Sequence, residues 1–501
     1  TSGGDGYYSN ITDVDTVPDT PGTPSFSSVI ATSTSVSWSA ASGASSYKLE
    51  RCETASCSFS QIATPAGTSY TDDTPALSGN TSYTYRVRAT SAAGVNGAYS
   101  STAATTTPPN VPTSLGSSGT DDTSTTLDWT APAGGSALTI TYKIERCTGS
   151  GCTSFSQIDT SATNSYEDTT LSGGTSYRYR VRASTTAGDG YYSNVTDVDT
   201  VPGAPGTPSF SNVIATSTTV SWSAASGAST YKVERCAGAG CVDYAQVTGA
   251  EAVAGTSYND SNTLTGNTVY RYRVRATSDG GDGAYSAGAG TTTPPNVPTS
   301  PGTSSVAETT LTVSWTAPTG GTAESITYKV ERCAGSSCTD FSQIQSGISA
   351  TSYGDTGLSP GTAYRYRIRA NNGADGYYSS ITSATTLTGV PGTPTYSSIA
   401  FSSVTVSWTT PTGGADSYTL ERCLTSSCSY SPIYTGATAS FGDSGLSEST
   451  QYSYRVKATA NGQDSAYSNV SNVTTTAEPE PVERIIRLKG GIRLKGGIRL
   501  L

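Results

Sequence analysis

The 501-residue sequence contains no histidine and no methionine, only 13% of its residues are charged, and no run of 18 apolar residues occurs. Without histidine, neither a Ser-His-Asp nor a Cys-His catalytic set can be built. Without a long apolar run, no helix can span a membrane. The missing methionine and the absence of a charged-then-apolar leader lead to the expectation that the chain is processed or a fragment. The polar surface falls to Ser, Thr, Gly and Asn, a composition read as that of a secreted β protein. The carboxylate pairs Asp72/Asp73 and Asp121/Asp122 are read as turn residues without counterparts in the other repeats, so no glycosidase pair is assigned. The expectation is of a non-enzyme with no catalytic residue, metal or cofactor. The net charge is −10, and residues 478–501 carry six Arg/Lys against three Glu, so the remainder carries −13. That balance excludes nucleic acid as partner of the main body.

What is present is repetition. TSYTYRVRA at Thr81 to Ala89 returns at Thr175, Thr268, Thr362 and Thr450, and Trp38, Trp129, Trp222, Trp315 and Trp408 are spaced by 91, 93, 93 and 93 residues. Tyr, Tyr, Val or Ile, and Ala alternate with Arg or another polar residue, which is the period of a strand with one buried face. The chain therefore reads as five units of a size suited to one small core each. The expected boundaries are 19–108, 109–202, 203–294, 295–389 and 390–477, with 1–18 as the last strand and linker of a preceding repeat and 478–501 as a tail. The first assignment rests on TSGGDGYYSNITDVDTVP at Thr1, which nearly repeats the segment at Thr185 that closes the second unit.

Ten cysteines form five equally spaced pairs: Cys52/Cys57, Cys147/Cys152, Cys236/Cys241, Cys333/Cys338 and Cys423/Cys428. A tetrahedral metal site needs four ligands and each unit offers two, so a site would have to bridge units. The spacing also differs from that of thioredoxin-like redox centres. A disulfide within each unit is the reading that leaves no thiol over, and it implies an oxidising compartment. Such a bridge closes a short loop and is worth less than the ~3 kcal/mol of a 15-residue loop, so its use is to pin a hairpin.

Within the third unit a Pro-rich connector at Val201 to Ser211 precedes STTVSWSA, then TYKVERC, the cysteine hairpin, DYAQV, SYND, LTGNTVYRYRVRA and a closing segment. About seven short strands with frequent turns and no helical period predict an all-β sandwich. This order resembles the fibronectin type III domain, most clearly in LSPGTAYRYRIRA, where Leu358, Pro360, Gly361 and Tyr364 resemble that family's tyrosine corner. The resemblance covers roughly residues 19 to 477 and implies a tandem array of five immunoglobulin-like sandwiches. The cysteine pair departs from the family pattern, and no Arg-Gly-Asp is present.

A longer period is superimposed. Units one and three share VIATST and a VP-x-x-PGTPSFS connector, whereas units two and four share TTTPPNVPTS and an AP-x-GG insertion. Two kinds of junction are expected to alternate along a semi-rigid rod on the order of 150–200 Å long.

Three features invite a functional reading. The Arg rows 178/180/182, 271/273/275 and 365/367/369 face the same way as Lys232 and Glu234, so cross-strand ion pairs compete with ligand binding. The loops at Gly188, Gly281 and Ala374 place Asp-Gly, first a turn signal, and Tyr beside a sheet edge; calcium or sugar binding by Asp and Tyr is the functional reading, and one Asp per loop supplies too few oxygen ligands. The tail repeats IRLKGG, with Ile486, Leu488, Ile492, Leu494, Ile498 and Leu500 on one apolar face as candidate assembly or anchoring residues; an artificial terminus and a membrane-surface segment are the competing readings. Together these lead to an expected extracellular, secreted or cell-surface structural or adhesive protein, a stalk or filament subunit that self-associates or attaches to a cell surface. The alternative is the spacer and carbohydrate-binding region of a larger secreted polysaccharide-degrading enzyme, with polysaccharide as partner.

Overall fold

The computed structural model describes residues 14–53, 58–261 and 263–481. Among them there is no α-helix, and the strands form ten sheets that fall into pairs, each pair enclosing one cluster of buried side chains. In the first unit, β1 (Ser25–Ile30), β2 (Ser33–Ser37) and β5 (Ser69–Asp72) form one sheet in the order β1-β2-β5. The second contains β3 (Ser46–Glu53), β4 (Ser60–Ala63), β6 (Ser82–Thr90), β7 (Asn96–Tyr99) and β8 (Ala103–Thr106). Its order is β4-β3-β6-β7, with β8 also pairing β6. All pairings are antiparallel, and β3 meets β6 in unbroken register from Ser46↔Thr90 to Glu53↔Tyr83.

The alternation of β6 has its physical reason in this placement. Tyr83, Tyr85, Val87 and Ala89 point into the sandwich and are buried, whereas Thr84, Arg86 and Arg88 cover the outer face. Each Trp packs edge-on against the first Tyr of the third strand, as in Trp38–Tyr47 at 5.5 Å and Trp129–Tyr142 at 5.1 Å between ring centroids. Fully buried side chains such as Leu49 and Val36 each contribute roughly 1.5–3 kcal/mol. The corner before β6 is closed the same way in all five units. The Tyr83 hydroxyl accepts from the Ser78 amide at 2.9 Å, and Tyr177, Tyr270, Tyr364 and Tyr452 do likewise for Ser172, Thr265, Ser359 and Ser447. The end of each unit is fastened to this corner by a buried threonine: Thr107 donates to the Ser78 carbonyl at 2.7 Å, and Thr200, Thr293, Thr386 and Thr475 repeat the bond.

Candidate functional site on the sheet face and at the junctions

A buried polar clamp joins the two sheets of every unit. Asp72 ends β5, and from the other sheet it accepts 2.9 and 2.8 Å hydrogen bonds from Arg51 and one of 2.7 Å from the Tyr85 hydroxyl. Asp168, Asp260, Asp355 and Asp443 hold the same place, with Tyr179, Tyr272, Tyr366 and Tyr454 donating at 2.6–2.8 Å. Burial, and then the adjoining carboxylate through its charge and hydrogen bond, pushes all five phenols well above the usual tyrosine range. Burial alone would raise Asp168, but donation from Thr170 and Tyr179 and the charge of Arg146 bring it below the usual carboxylate value. The turn reading of Asp72 is therefore corrected: it belongs to a strand, and it does recur at matching positions. The signal was legible as Ser-Tyr/Phe-x-Asp, present once in each unit.

On the outer face the central arginine of each row is paired within its own unit. Glu145 lies directly across from Arg180 and pairs with it at 2.7 Å, while Tyr192 donates to Glu145 at 2.6 Å. The Arg180 guanidinium is also held between Tyr192 and Phe155, 3.7 and 4.4 Å from the ring centroids. Arg86, Arg273, Arg367 and Arg455 occupy equivalent places opposite Glu50, Glu234, Glu331 and Glu421. These glutamates are nearly enclosed, so the face is a stacked cation–aromatic layer rather than an open basic patch. The Asp-Gly loops contribute to the same layer. Asp189 pairs with Lys143 and Arg182 at 2.8 and 3.0 Å, and Asp375 does the same with Lys329 and Arg369.

Two aromatic side chains stay outside this network. Tyr191 is 59% exposed and Tyr377 60%, each followed four residues later by a partly exposed Val195 or Ile381. Units one, three and five carry Ala98, Ala284 and Ala466 at this position. An exposed aromatic–aliphatic pair thus occurs at one matching position in units two and four. Among the described residues no three His, Cys, Asp or Glu side chains converge as a metal site.

The junctions between units are built from close backbone contacts. After unit one, Asn80 donates to the Leu138 carbonyl and accepts from the Leu138 amide at 2.9 and 3.0 Å, and the connector's Asn110 donates to Ala133 at 2.7 Å. After unit three, Asn267 donates to Gly321 and Glu324 at 3.0 and 2.9 Å, and Asn372 reaches back to Asn267 at 2.8 Å. After unit two the contact is glycine on glycine: a Cβ at Gly174 would lie 2.1 Å from the Gly227 carbonyl oxygen. After unit four, Gly361 meets Gly413 in the same manner, at 2.7 Å. Sequence reasoning found the alternation of connectors but missed the residue that contacts the next unit.

The structure bridges Cys147–Cys152, Cys236–Cys241, Cys333–Cys338 and Cys423–Cys428, each across the turn between the third and fourth strands of its unit. Cys52 is disulfide-bonded as well, and Cys57 lies outside the described residues. Ile486, Leu488, Ile492, Leu494, Ile498 and Leu500 lie outside them too, as do residues 1–13.

Residues 110–199 and 296–385 match the fibronectin type III domain family. The chain is 31% identical to Exoglucanase B of Cellulomonas fimi over 320 residues, covering 59% of this chain and 27% of that protein. It is likewise 31% identical to Endoglucanase B of Cellulomonas fimi over 290 residues, covering 54% of this chain and 26% of that one. The chain thus spans about a quarter of the length of these relatives. Among solved structures, a two-domain fibronectin type III segment from chicken tenascin is similar at 22% identity, covering 36% of this chain and 99% of its own, with a TM-score of 0.27.

Proposed function

Since this chain is a tandem array of fibronectin type III-like domains, we propose that it is the spacer and carbohydrate-contacting region of a larger secreted polysaccharide-degrading enzyme. The observation that carries this reading is its similarity, over more than half of its length, to stretches of an exoglucanase and an endoglucanase that are themselves about four times longer than the shared part. In this reading the array performs no chemistry. Its clamped cores and docked junctions set the distance between a catalytic domain and its substrate, and Tyr191/Val195 and Tyr377/Ile381 are the surfaces offered to polysaccharide. The disulfides fit an oxidising, extracellular compartment. The surface-fibre reading drew on the tandem rod and on the IRLKGG tail; the spacer reading shares the rod, and no observation on the described residues favours the fibre over the spacer.

Reading-frame sequencing and a sedimentation assay test the proposal. The polypeptide that contains residues 1–501 is expected to contain a glycoside-hydrolase domain, and the 501-residue chain is expected to co-sediment with microcrystalline cellulose more than its Tyr191→Ala/Tyr377→Ala variant does. A reading frame without such a domain, together with ordered fibres in electron micrographs of the native material, would return the assignment to a filament subunit.

A further inference from the structure

The residue just before the recurring threonine at the corner of each unit is always in the left-handed region. Its φ is +50° at Asn80, +62° at Gly174, +53° at Asn267, +63° at Gly361 and +51° at Ser449. Glycine occupies this region without steric cost, whereas asparagine pays a modest one that hydrogen bonds of its side chain can offset. At Asn80 and Asn267 those bonds lie entirely in the next unit. Every hydrogen bond described above for these two side chains crosses the junction, and the two residues are 3% and 2% exposed. Ser449, at the corner of unit five, is exposed.

We propose that this left-handed residue is a docking key that specifies which kind of unit follows it and in what orientation. Asparagine takes a unit whose second loop carries the Gly-Gly insertion, Gly134–Gly135 or Gly320–Gly321. The second glycine of each pair lies so close that a Cβ would sit 2.4 Å from Thr81 Oγ1 or 2.1 Å from Thr268 Oγ1. Glycine takes a unit that presents its own left-handed glycine, Gly227 (φ +70°) or Gly413 (φ +86°). There a Cβ on Gly227 would lie 2.0 Å from the Gly173 carbonyl oxygen, and one on Gly361 2.8 Å from the Gly413 Cα. The two keys are mutually exclusive. A glycine corner leaves the amide and carbonyl of Leu138 without partners, and an asparagine corner collides with Gly227. The keys therefore impose the two-unit period on the rod, and they carry the surface at Tyr191 to its counterpart at Tyr377 through one junction of each kind.

The test exchanges the keys in the full 501-residue chain. Asn80→Gly and Gly174→Asn both retain a residue that this corner already accepts in another unit, so each unit is expected to keep its own thermal transition in calorimetry. Hydrogen exchange should then report on the junctions. Asn80→Gly is expected to accelerate exchange at Leu138 about tenfold or more, because the hydrogen bonds at both its amide and its carbonyl are removed. Gly174→Asn is expected to leave Leu138 unchanged, to accelerate exchange at Gly203, whose amide ties the connector to Ser226 directly beside the Gly174–Gly227 contact, and to alter the small-angle scattering profile. Unchanged exchange at Leu138 in the first variant, or an unchanged scattering profile and Gly203 amide in the second, would overturn the proposal.

Discussion

Tyr85 of the central strand donates a 2.7 Å hydrogen bond to Asp72 of the opposite sheet, and both side chains are completely buried. The pair ties the two layers of the sandwich at one fixed point. A hydrophobic pair there would leave the Arg51 guanidinium without its carboxylate. Five repeats of the arrangement make each unit individually sensitive at one place.

The two kinds of substitution at this point should differ in severity. Tyr179→Phe removes one hydrogen bond to a charged group and is expected to lower the stability of unit two by about 1.5–3 kcal/mol. Asp168→Ala leaves both Arg146 and Tyr179 facing an empty site and is expected to cost about 3–5 kcal/mol. Calorimetry of the full chain should show one of the overlapping transitions shifted downward and the others unmoved.

Stability should fall at both ends of the pH scale, for opposite reasons. Asp168, Glu50 and Glu421 are held below their usual values: burial acts against this, but hydrogen bonds from Thr170, Tyr99 and Tyr467 and from nearby arginines outweigh it. Their contribution is complete above the unfolded carboxylate range near pH 4 and is lost as the pH falls through their lower folded values. The five buried tyrosines are raised, so their contribution is complete below about pH 10 and declines as the pH climbs above it. Ultraviolet titration should show these phenols ionising only together with unfolding, monitored by circular dichroism.

Reducing the disulfides should be tolerated. Each bridge joins cysteines five residues apart, and closing so short a loop is worth about 2 kcal/mol. Cys236→Ser/Cys241→Ser is expected to lower the melting temperature of unit three by several degrees. Faster exchange should be confined to the hairpin between Thr230–Ala237 and Ala245–Gln246.

Arg180→Lys is expected to destabilise unit two although the charge is kept. Lysine cannot reproduce the pair of bonds from Nε and Nη2 to Glu145, nor the stacking of a planar group between Tyr192 and Phe155. A loss of about 1–2 kcal/mol, read from urea denaturation, would fit a group held in a nearly closed layer. A loss indistinguishable from zero would mean that the pair behaves as an ordinary surface ion pair.

Much of this is legible in the amino-acid sequence. The period-two pattern of Tyr83, Tyr85, Val87 and Ala89 specifies a half-buried strand because side chains alternate strictly across a sheet. The opposition of Glu234 and Arg273 was likewise legible as a facing pair. Asp72 was misread because its neighbour Asp73 and the following Thr-Pro look like a turn. A residue at the last position of a strand can still point inward, and only the partner sheet shows which way it faces. Tyr191 and Tyr192 are adjacent and chemically identical, yet one is open to solvent and the other caps Glu145. That distinction depends on which face of the edge strand each occupies.

The sequence alone determined the period of the repeats and of their strands, the spacing of their cysteines and the alternation of their connectors, because each of these is a local pattern repeated at a constant interval. The tertiary structure alone decided that Asp72 and its counterparts join the sheets, that the central arginine of each row is paired, and that Asn80 and Gly174 make different contacts with the units after them. These depend on groups brought together from separate strands and neighbouring units, where distances of a few ångströms decide whether a charge is paired or a Cβ can be accommodated.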